Sequence, residues 1–500
     1  MKLHAGSEGR SRVRLLSQRS DDRWRHRVLP TLGRQRRFVA VLALLTLVDP
    51  QLATEHARAL APRFVGMRAV TTGTDFSAVP EFFFAANDGI HGSELWKSDG
   101  TDAGTVLVKD IFPSADSSYP ADFKVVDGTV LFVADNPIYG RELWTTDGTE
   151  AGTALVKDIN PGRRGSYPFL LDDLSGDLFL SAEDELHGRE LWRTDGTDVG
   201  TFLVRDIARG EDDALSYYGD YFFGVYFDDM ARAGSVLLFP AYNHAHGWEV
   251  WRSDGSEAGT SLVRDVRLGR DSSYPYGFTE SGGSVFLAAD DGAHGVELWT
   301  SDGTELGTVM VKNLRPGKND SFPFGMTEFA GNLFFTANAP DAPVLWRSDG
   351  TATGTIRLGN RLNPFTLTVA GPRLFFLRTP WDPEGSRHEL WASDGTHSGT
   401  TMIKRNLITS NFLAAVRLID VSETLFIGIN HRPDRVELWR SDGTTDGTVL
   451  LRTVYEGRSR DGVRPVGVVD STLFFKVRGG ELWRSDGTID GTLPVKDILP

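Results

Sequence analysis

The chain of 500 residues contains no cysteine, so it can form neither a disulfide framework nor a cysteine-based metal site. It contains no HExxH, no GxSxG, no phosphate-binding glycine loop and no EF-hand loop, which excludes the enzyme and calcium-binding classes that these motifs mark. It also has no low-complexity tract that would argue for disorder. With 40 % hydrophobic residues, the chain has enough apolar material for a sizeable core.

Residues 1–59 differ from the remainder of the chain in charge. They hold 12 Lys and Arg against 5 Asp and Glu, a net charge of +7. Within them an apolar run of 11 residues, 38–48, is too short for the roughly 20 residues that cross a bilayer. Arginines precede this run and the small-x-small site Ala57-Arg58-Ala59 follows it. This order predicts a secretory signal peptide with an Arg-rich leader, rather than an amphipathic or unstructured tail.

Residues 60–500 carry a net charge of −22, since the whole chain carries −15. Such an acidic surface argues against nucleic acid and against anionic membranes as partners. It is compatible with a divalent cation such as calcium, but the Asp-Gly turns at 88–89 and 291–292 are too short a ligand set for a calcium loop, and solubility is the favoured reason for the charge. We therefore predict no cofactor and no membrane span in the mature chain, and the oligomeric state stays open.

One phrase occurs nine times in residues 60–500: Trp, any residue, Ser or Thr, Asp-Gly, Thr or Ser, two residues, Gly-Thr. The intervals between successive copies are 48, 48, 59, 48, 47, 45, 48 and 44 residues. A period of this size indicates one supersecondary unit copied around or along an axis. The copies are centred on Trp96, Trp144, Trp192, Trp251, Trp299, Trp346, Trp391, Trp439 and Trp483.

Each copy has the pattern of four short strands joined by tight turns. In the third copy, the apolar or alternating segments are 167–174, 178–182, 190–194 and 201–207. Four antiparallel strands at this period predict an all-β fold, a β-propeller of about nine four-stranded blades in one ring. An eight-bladed ring and an open β-solenoid are the alternatives, and closure is favoured because bare sheet edges promote aggregation.

The ends of the repeat region are predicted to meet in the ring. The first inner strand falls at 70–77 and the last rim strand at 493–498, so the blades are in phase and no strand is shared across the closure.

The segment Glu142-Leu143-Trp144-Thr145-Thr146-Asp147-Gly148-Thr149 resembles the ELWxxDGT repeat family of bacterial secreted proteins, and the resemblance covers roughly residues 80–500. It implies a repeat fold and export to the periplasm, the cell surface or the medium, and it brings no activity and no catalytic residues. The phrase is also similar to the Asp-boxes of sialidases. Here, however, Asp and Gly are adjacent and Trp precedes them, which removes any basis for glycosidase chemistry.

The nine repeated aspartates are predicted to be structural, because a catalytic residue is normally needed once. An Asp side chain can accept a hydrogen bond from the backbone N–H two residues on, and the following Gly permits a positive φ. These residues are Asp99, Asp147, Asp195, Asp254, Asp302, Asp349, Asp394, Asp442 and Asp486.

A glutamate lies two residues before Trp in eight copies, and a Lys or Arg lies 13 residues after Trp in eight copies. The copy with Val344 in place of the glutamate also has Gly359 in place of the base. This joint loss predicts a cross-strand ion pair, for example between Glu142 and Lys157, with charged ends within about 4 Å.

Two further residue types recur on several blades. Four histidines lie five residues before Trp; because equivalent positions on different blades diverge, we interpret them as turn residues rather than a metal site. Aromatic residues 23 positions after Trp either ring one mouth of the channel or pack against the neighbouring blade, and packing is favoured. These two sets are His91, His187, His246 and His294, and Tyr119, Tyr167, Tyr274 and Phe322.

Breaks in the repeat are where we expect binding, because insertions on a propeller face usually carry it. The 59-residue interval adds 11 residues rich in Tyr, Phe and Asp. They either offer aromatic stacking faces and carboxylates to a glycan or peptide, or bury themselves as a hairpin. A Trp on a Pro-rich loop is either an exposed anchor or part of a rigid turn. The candidate binding residues are Tyr217, Tyr218, Tyr221, Tyr226, Phe227 and Trp381.

The sequence therefore predicts a secreted or surface binding propeller with a glycan or protein partner. A polysaccharide-acting hydrolase or lyase is the alternative, and it would need carboxylates from different blades converging on one face. A structural surface or matrix protein is the third possibility. No catalytic residue is assigned.

Overall fold

The protein is a nine-bladed β-propeller, and the ring and blade number predicted from the sequence are confirmed. The structure is a computed structural model, and it describes residues 81–126, 128–215, 230–340, 342–359, 362–378, 388–408, 416–431, 435–457, 462–477 and 480–499. Within these ranges, no helix has the length and apolar character needed to cross a membrane.

Each blade is an antiparallel sheet in which consecutive strands are neighbours. In the first blade three strands are described, and the inner strand expected at 70–77 lies outside the described residues. The strands of blades one to five are β1 Phe82–Asn87, β2 Ser93–Ser98, β3 Val106–Lys109; β4 Ala121–Val126, β5 Thr129–Asn136, β6 Gly140–Thr146, β7 Ala154–Lys157; β8 Phe169–Leu174, β9 Asp177–Asp184, β10 Gly188–Thr194, β11 Phe202–Arg205; β12 Ala231–Ala233, β13 Val236–Asn243, β14 Gly247–Ser253, β15 Ser261–Arg264; β16 Tyr276–Ser281, β17 Ser284–Asp290, β18 Val296–Ser301 and β19 Val309–Lys312.

The last four blades have the same strand order. Their strands are β20 Phe324–Phe329, β21 Asn332–Asn338, β22 Pro343–Ser348, β23 Ile356–Arg357; β24 Pro364–Ala370, β25 Arg373–Arg378, β26 His388–Ser393, β27 Thr401–Ile408; β28 Val416–Val421, β29 Thr424–His431, β30 Arg435–Ser441, β31 Val449–Glu456; β32 Arg464–Val469, β33 Thr472–Lys476, β34 Glu481–Ser485 and β35 Leu493–Asp497.

Hydrophobic clusters fill the nine gaps between neighbouring blades and close the ring. The last gap joins the ninth blade to the first, where the rings of Phe474 and Phe82 lie 4.5 Å apart between centroids. At the rim of the same gap, Lys496 Nζ donates to Asp102 O at 3.1 Å and to Thr105 O at 3.0 Å. The open solenoid and the eight-bladed ring are therefore wrong.

The repeat tryptophan of each blade belongs to the cluster shared with the preceding blade. Trp144, for example, packs with Phe83 and Leu95 of blade one, and Trp192 packs with Leu131 and Val133 of blade two. A large indole is suited to this position because it buries more apolar area than any aliphatic side chain. The repeated Trp is thus the residue that joins one blade to the next.

The Asp-Gly turn is a closed hydrogen-bond network, illustrated by the first copy. Asp99 Oδ1 accepts from Thr101 N at 2.8 Å and from Thr101 Oγ1 at 2.7 Å. Gly100 has φ of 87°, and a Cβ on Gly104 would lie 2.0 Å from Asp99 Oδ1, so both positions need glycine. Thr105 Oγ1 closes the network by donating to Thr101 O at 2.6 Å. In all nine copies the turn aspartate accepts a hydrogen bond from the backbone N–H of the Thr or Ser two residues later.

The predicted ion pair between Glu142 and Lys157 is wrong, and a β-bulge is the reason. In a regular hairpin, the pairing of Trp144 with Leu155 would place Lys157 opposite Glu142. The bulge between Leu143 and Trp144 shifts the register by one, so that Lys157 lies opposite Leu143. A one-residue shift moves a side chain to the other face of the sheet, and the two charged groups therefore separate.

The bases at the rim bind the next blade instead. Lys109 Nζ donates to Thr153 O at 2.7 Å and to Glu150 O at 3.2 Å, both in the Asp-Gly turn of blade two. Lys157 Nζ makes the equivalent bond to Asp198 O of blade three at 3.0 Å. These bases bind the outer strand of one blade to the Asp-Gly turn of the next, and this contact explains why they recur in the repeat.

Candidate functional site

One end of the propeller carries both the links between blades and the turns between the two middle strands, because the four strands alternate in direction. Link and turn are joined in blade one, where Ser93 N donates to Ser117 Oγ at 2.9 Å and Tyr119 N donates to Ser93 O at 3.1 Å. The Asp-Gly turns lie at the opposite end. We call the first surface the link face, and in blades one to five it comprises the links 110–120, 158–168, 206–215, 265–275 and 313–323 and the turns 88–92, 136–140, 184–188, 243–247 and 290–295.

Buried glutamates hold the links in place. Glu94 Oε1 accepts from Ser118 N at 2.8 Å, and its Oε2 accepts from Ile111 N at 2.8 Å and Ser118 Oγ at 2.6 Å. Glu142, Glu249 and Glu297 bind their own links in the same way. The residue two before Trp therefore fixes a loop of about a dozen residues from a strand of the same blade.

The environment of these carboxyls raises their pKa values. Burial raises the pKa of Glu142, Glu249 and Glu297 to about 7, in spite of the hydrogen bonds from serine and backbone donors. Burial raises the pKa of Glu190 further, to about 8, where the described residues supply two hydrogen bonds, from Ile207 N and Ala208 N, and the charges of Asp206 and Asp213 add to the rise. Blade three has Ala214 where the other four links have serine, and Glu190 Oε2 has no hydrogen-bond partner among the described residues.

The links display aromatic residues in an unfavourable backbone conformation. Tyr119, Tyr167, Tyr274 and Phe322 have φ of 46°, 46°, 47° and 45°, in the left-handed region that bulky residues avoid. Each precedes a proline, which further disfavours helical backbone angles. The tyrosines are 61 %, 38 % and 50 % exposed, whereas Phe322 packs against the cluster between blades five and six. The predicted packing role thus fits Phe322, and the three tyrosines face solvent.

The turn histidines each bind one carboxylate through Nδ1. His91 lies 2.7 Å from Asp88, His187 2.8 Å from Asp184 and His294 2.7 Å from Asp291. His246 lies 3.0 Å from Asp265. No group of three or more His, Asp or Glu that could hold a metal ion occurs in the described part of the chain. The hydrogen bond that His91 donates to the Asp88 carboxylate raises the pKa of His91.

The binding residues predicted at the repeat breaks lie outside the described residues. They are Tyr217, Tyr218, Tyr221, Tyr226, Phe227 and Trp381. The residues that flank the insertion are described: Ala214 and Leu215 are buried between blades three and four, and Met230 precedes β12. The described residues before the insertion thus belong to a link.

Blade four carries an aromatic group that sequence reasoning missed. Tyr242 on β13 and Trp248 on β14 are cross-strand partners with ring centroids 6.0 Å apart, and the ring of His244 lies 5.6 Å from that of Tyr242. The same register positions in blade two hold Asp135 and Arg141, which form an ion pair at 3.0 Å. The signal was present in the sequence, because aligning the copies on Trp places Tyr and Trp where blade two has charged residues.

No protein-family model and no curated protein matches this chain. Among solved structures, the chain is similar to a puromycin hydrolase, with 14 % identity and a TM-score of 0.37 over 80 % of this chain and 61 % of that one. It is also similar to oligopeptidase B from Leishmania major, with 9 % identity and a TM-score of 0.42 over 74 % and 53 % of the two chains. A eukaryotic initiation factor shares 12 % identity at a TM-score of 0.48, over 83 % and 94 %. The chain thus spans less than two thirds of the puromycin hydrolase and of oligopeptidase B.

Proposed function

We propose that the protein is a secreted or surface binding propeller whose link face holds a glycan or protein ligand. The observation that carries this proposal is the repeated aromatic position of the links, where three tyrosines are exposed at one position of the repeat. Exposed tyrosines offer a rigid apolar face and a hydroxyl at low entropic cost, which suits recognition.

The backbone at these tyrosines supports the proposal. A bulky residue in the left-handed region costs on the order of 1–2 kcal/mol and persists only where the surroundings fix it. Here they do: Tyr119 N donates to Ser93 O, and Tyr119 O accepts from Arg141 Nη1 at 3.2 Å. Phe322 has the same φ while it packs against the cluster between blades five and six, so the strain belongs to the link in either case. At the three tyrosines, the same held backbone presents an exposed ring.

The hydrolase alternative gains less support. Carboxyls with raised pKa values are the usual candidates for general acids. The carboxyls whose pKa values are raised most are Glu142, Glu190, Glu249 and Glu297; all four are completely buried, and Glu142 is engaged with its link. A substrate on the link face could not reach them. Their pKa values follow from their structural role.

The proposal is tested by applying the purified protein to arrays of glycans and of cell-surface proteins, beside a Tyr119→Ser/Tyr274→Ser variant. We expect the variant to lose about tenfold in affinity for any ligand retained, since each ring supplies part of the contact. The matched control is Val199→Ser/Leu306→Ser, which changes two side chains that are 90 % and 91 % exposed on the opposite end.

Equal binding by the tyrosine variant, or loss only in the control variant, would contradict the assignment to the link face. A reducing-sugar assay on the retained glycans separates the alternatives, because release of sugar would favour the hydrolase.

A further inference from the structure

Blade four replaces a charged pair by an aromatic pair at one place in the repeat. In blade two, Asp135 and Arg141 are paired across the two middle strands, and in blade four Tyr242 and Trp248 occupy the corresponding places. Both rings are partly exposed. A partly exposed aromatic pair on the link face, where blade two has an ion pair, points to a contact with a ligand rather than to the core.

The two rings belong to residues on strands, and the backbone of each residue is hydrogen-bonded to a link. Tyr242 N donates to Ala214 O at 2.9 Å, which ties the end of β13 to the link before it. Trp248 N donates to Ser272 Oγ at 2.9 Å, which ties β14 to the link after it. A contact surface on strands with fixed neighbours is preorganised, so little entropy is lost when a ligand binds.

A polar pair adjoins the rings. Asp212 Oδ2 lies 2.8 Å from His244 Nε2, and these side chains are 53 % and 62 % exposed. Tyr242 Oη lies 3.4 Å from His244 Nδ1. The Asp212 carboxylate and the His244 imidazole therefore adjoin the aromatic pair and, with the Tyr242 hydroxyl, offer acceptors and donors to hydroxyl groups.

This arrangement suits a neutral polyol better than a cation. A cation over aromatic rings is best bound beside a carboxylate that has no other partner, whereas Asp212 is already bonded to His244. A sugar ring presents an apolar C–H face for stacking and hydroxyls at its edge. Both features have counterparts in this cluster.

We infer that Tyr242, Trp248, His244 and Asp212 form a stacking subsite for a neutral oligosaccharide. The inference rests on the proposed function and names its ligand class at one place on the link face. It predicts that Tyr242 and Trp248 of blade four stack on the glycan, and that Asp135 and Arg141, at the same place in blade two, do not.

The test is calorimetric titration of the full chain with cellohexaose, xylohexaose, mannohexaose and chitohexaose. We expect at least one to bind, and a Tyr242→Asp/Trp248→Arg variant to bind it about tenfold more weakly or not at all. This variant installs the pair that blade two already accommodates, so its melting temperature should stay within a few degrees. His244→Asn keeps the rings and should weaken binding by about threefold through the lost hydrogen bonds. Val199→Ser, on the opposite end, should bind like the wild type.

Three results would overturn the inference: no binding of any of the four hexasaccharides, equal binding by the Tyr242→Asp/Trp248→Arg variant, or binding of tetramethylammonium in their place. The proposed function is tested separately, by the Tyr119→Ser/Tyr274→Ser variant of the links. Loss of array binding in Tyr119→Ser/Tyr274→Ser, with hexasaccharide binding unaffected in the blade-four variant, would reject the subsite and keep the binding face.

Discussion

The repeated glutamate, two residues before Trp, has one role in blades one to five and another in blades seven to nine. In blades one to five it is completely buried and, in each of them, accepts hydrogen bonds from amides of the link. In blades seven to nine it turns to the indole of its own blade, at 3.0, 2.9 and 3.2 Å from Trp Nε1. The first group is Glu94, Glu142, Glu190, Glu249 and Glu297, and the second is Glu389, Glu437 and Glu481.

In the first group, most of the repeat tryptophans lose a hydrogen-bond partner because the glutamate bonds to the link. Trp96, Trp144, Trp192 and Trp251 leave Nε1 without a hydrogen-bond partner in the described part of the chain. An unpaired buried donor costs on the order of 1–3 kcal/mol. Blades one to four thus leave the indole unpaired and gain fixed links, whereas in blade five Trp299 Nε1 donates to Ala289 O at 3.1 Å. The links after blades one, two and four carry the exposed tyrosines. The repeated glutamate therefore fixes the links in blades one to five, whereas in blades seven to nine it bonds to the indole of its own blade.

The largest expected effect comes from removing the carboxylate in each region. Glu142→Ala leaves Asn160 N, Ser166 N and Ser166 Oγ without their acceptor, so it should lower the free energy of unfolding by about 2–4 kcal/mol. Glu481→Ala removes a bond to Trp483 Nε1 from a partly exposed side chain, and the loss should stay below about 1 kcal/mol. Urea unfolding followed by tryptophan fluorescence measures both. Equal losses in the two variants would erase the distinction between the regions.

The buried glutamates of blades one to five and Glu437 of blade eight should respond to pH in opposite directions. Burial raises the pKa of Glu249 to about 7, above the ordinary 4.5, so the folded state binds more protons than the unfolded state between these values. Stability from blades one to five is therefore greatest below pH 4.5 and falls as the pH rises through 7. In blade eight, hydrogen bonds from His431, Arg435 and Trp439 outweigh burial and lower the pKa of Glu437 to about 2. Its contribution is present above pH 4.5 and is lost as the pH falls toward 2.

Melting temperatures measured from pH 3 to pH 9 check this pair of slopes. Glu249→Gln should flatten the decline between pH 5 and 8, and Glu437→Gln should flatten the decline on the acid side. If Glu249→Gln leaves the alkaline slope unchanged, the buried carboxyls of the links do not titrate in this range.

A smaller effect is expected at the one link of the first group that lacks serine. Ala214→Ser supplies a hydroxyl to Glu190 and should raise the free energy of unfolding by about 1 kcal/mol, the usual net value of a hydrogen bond. The matched reverse change, Ser166→Ala in blade two, removes the bond from Ser166 Oγ to Glu142 Oε2 at 2.5 Å and should lower it by a similar amount. A destabilising Ala214→Ser would show that the site has no room for the hydroxyl.

The sequence predicted the ring well because period and turn chemistry are local. The strands expected at 178–182 and 190–194 lie within Asp177–Asp184 and Gly188–Thr194, and the Asp-to-amide bond of the turns is present as expected. The Glu–Lys pair was missed because one bulge residue, invisible in the pattern, moves Lys157 to the other face of the sheet. The role of Glu142 could have been inferred from Ser166, which lies 24 residues later in the same spacing as Glu94 and Ser118.

The candidate site was less predictable for a different reason. The repeat break at 211–235 drew attention to its own aromatic residues, while Tyr242 and Trp248 stand inside the regular copy. The cross-strand register shows that they face one another, and a side-chain hydrogen bond shows that Asp212 reaches His244 from the preceding link. Contacts between a link and a turn depend on how neighbouring blades pack, which no single copy of the repeat encodes.

The central claim is that ligand binds the link face of blades one to five. It is tested most directly by hydrogen–deuterium exchange of the full chain, with and without a ligand retained on the arrays. Binding at the link face should slow exchange in the links 110–120, 158–168 and 265–275 and leave exchange unchanged in the Asp-Gly turns 254–259 and 302–307 and in blade nine. Protection confined to those turns or to blade nine, with the links unaffected, would contradict it.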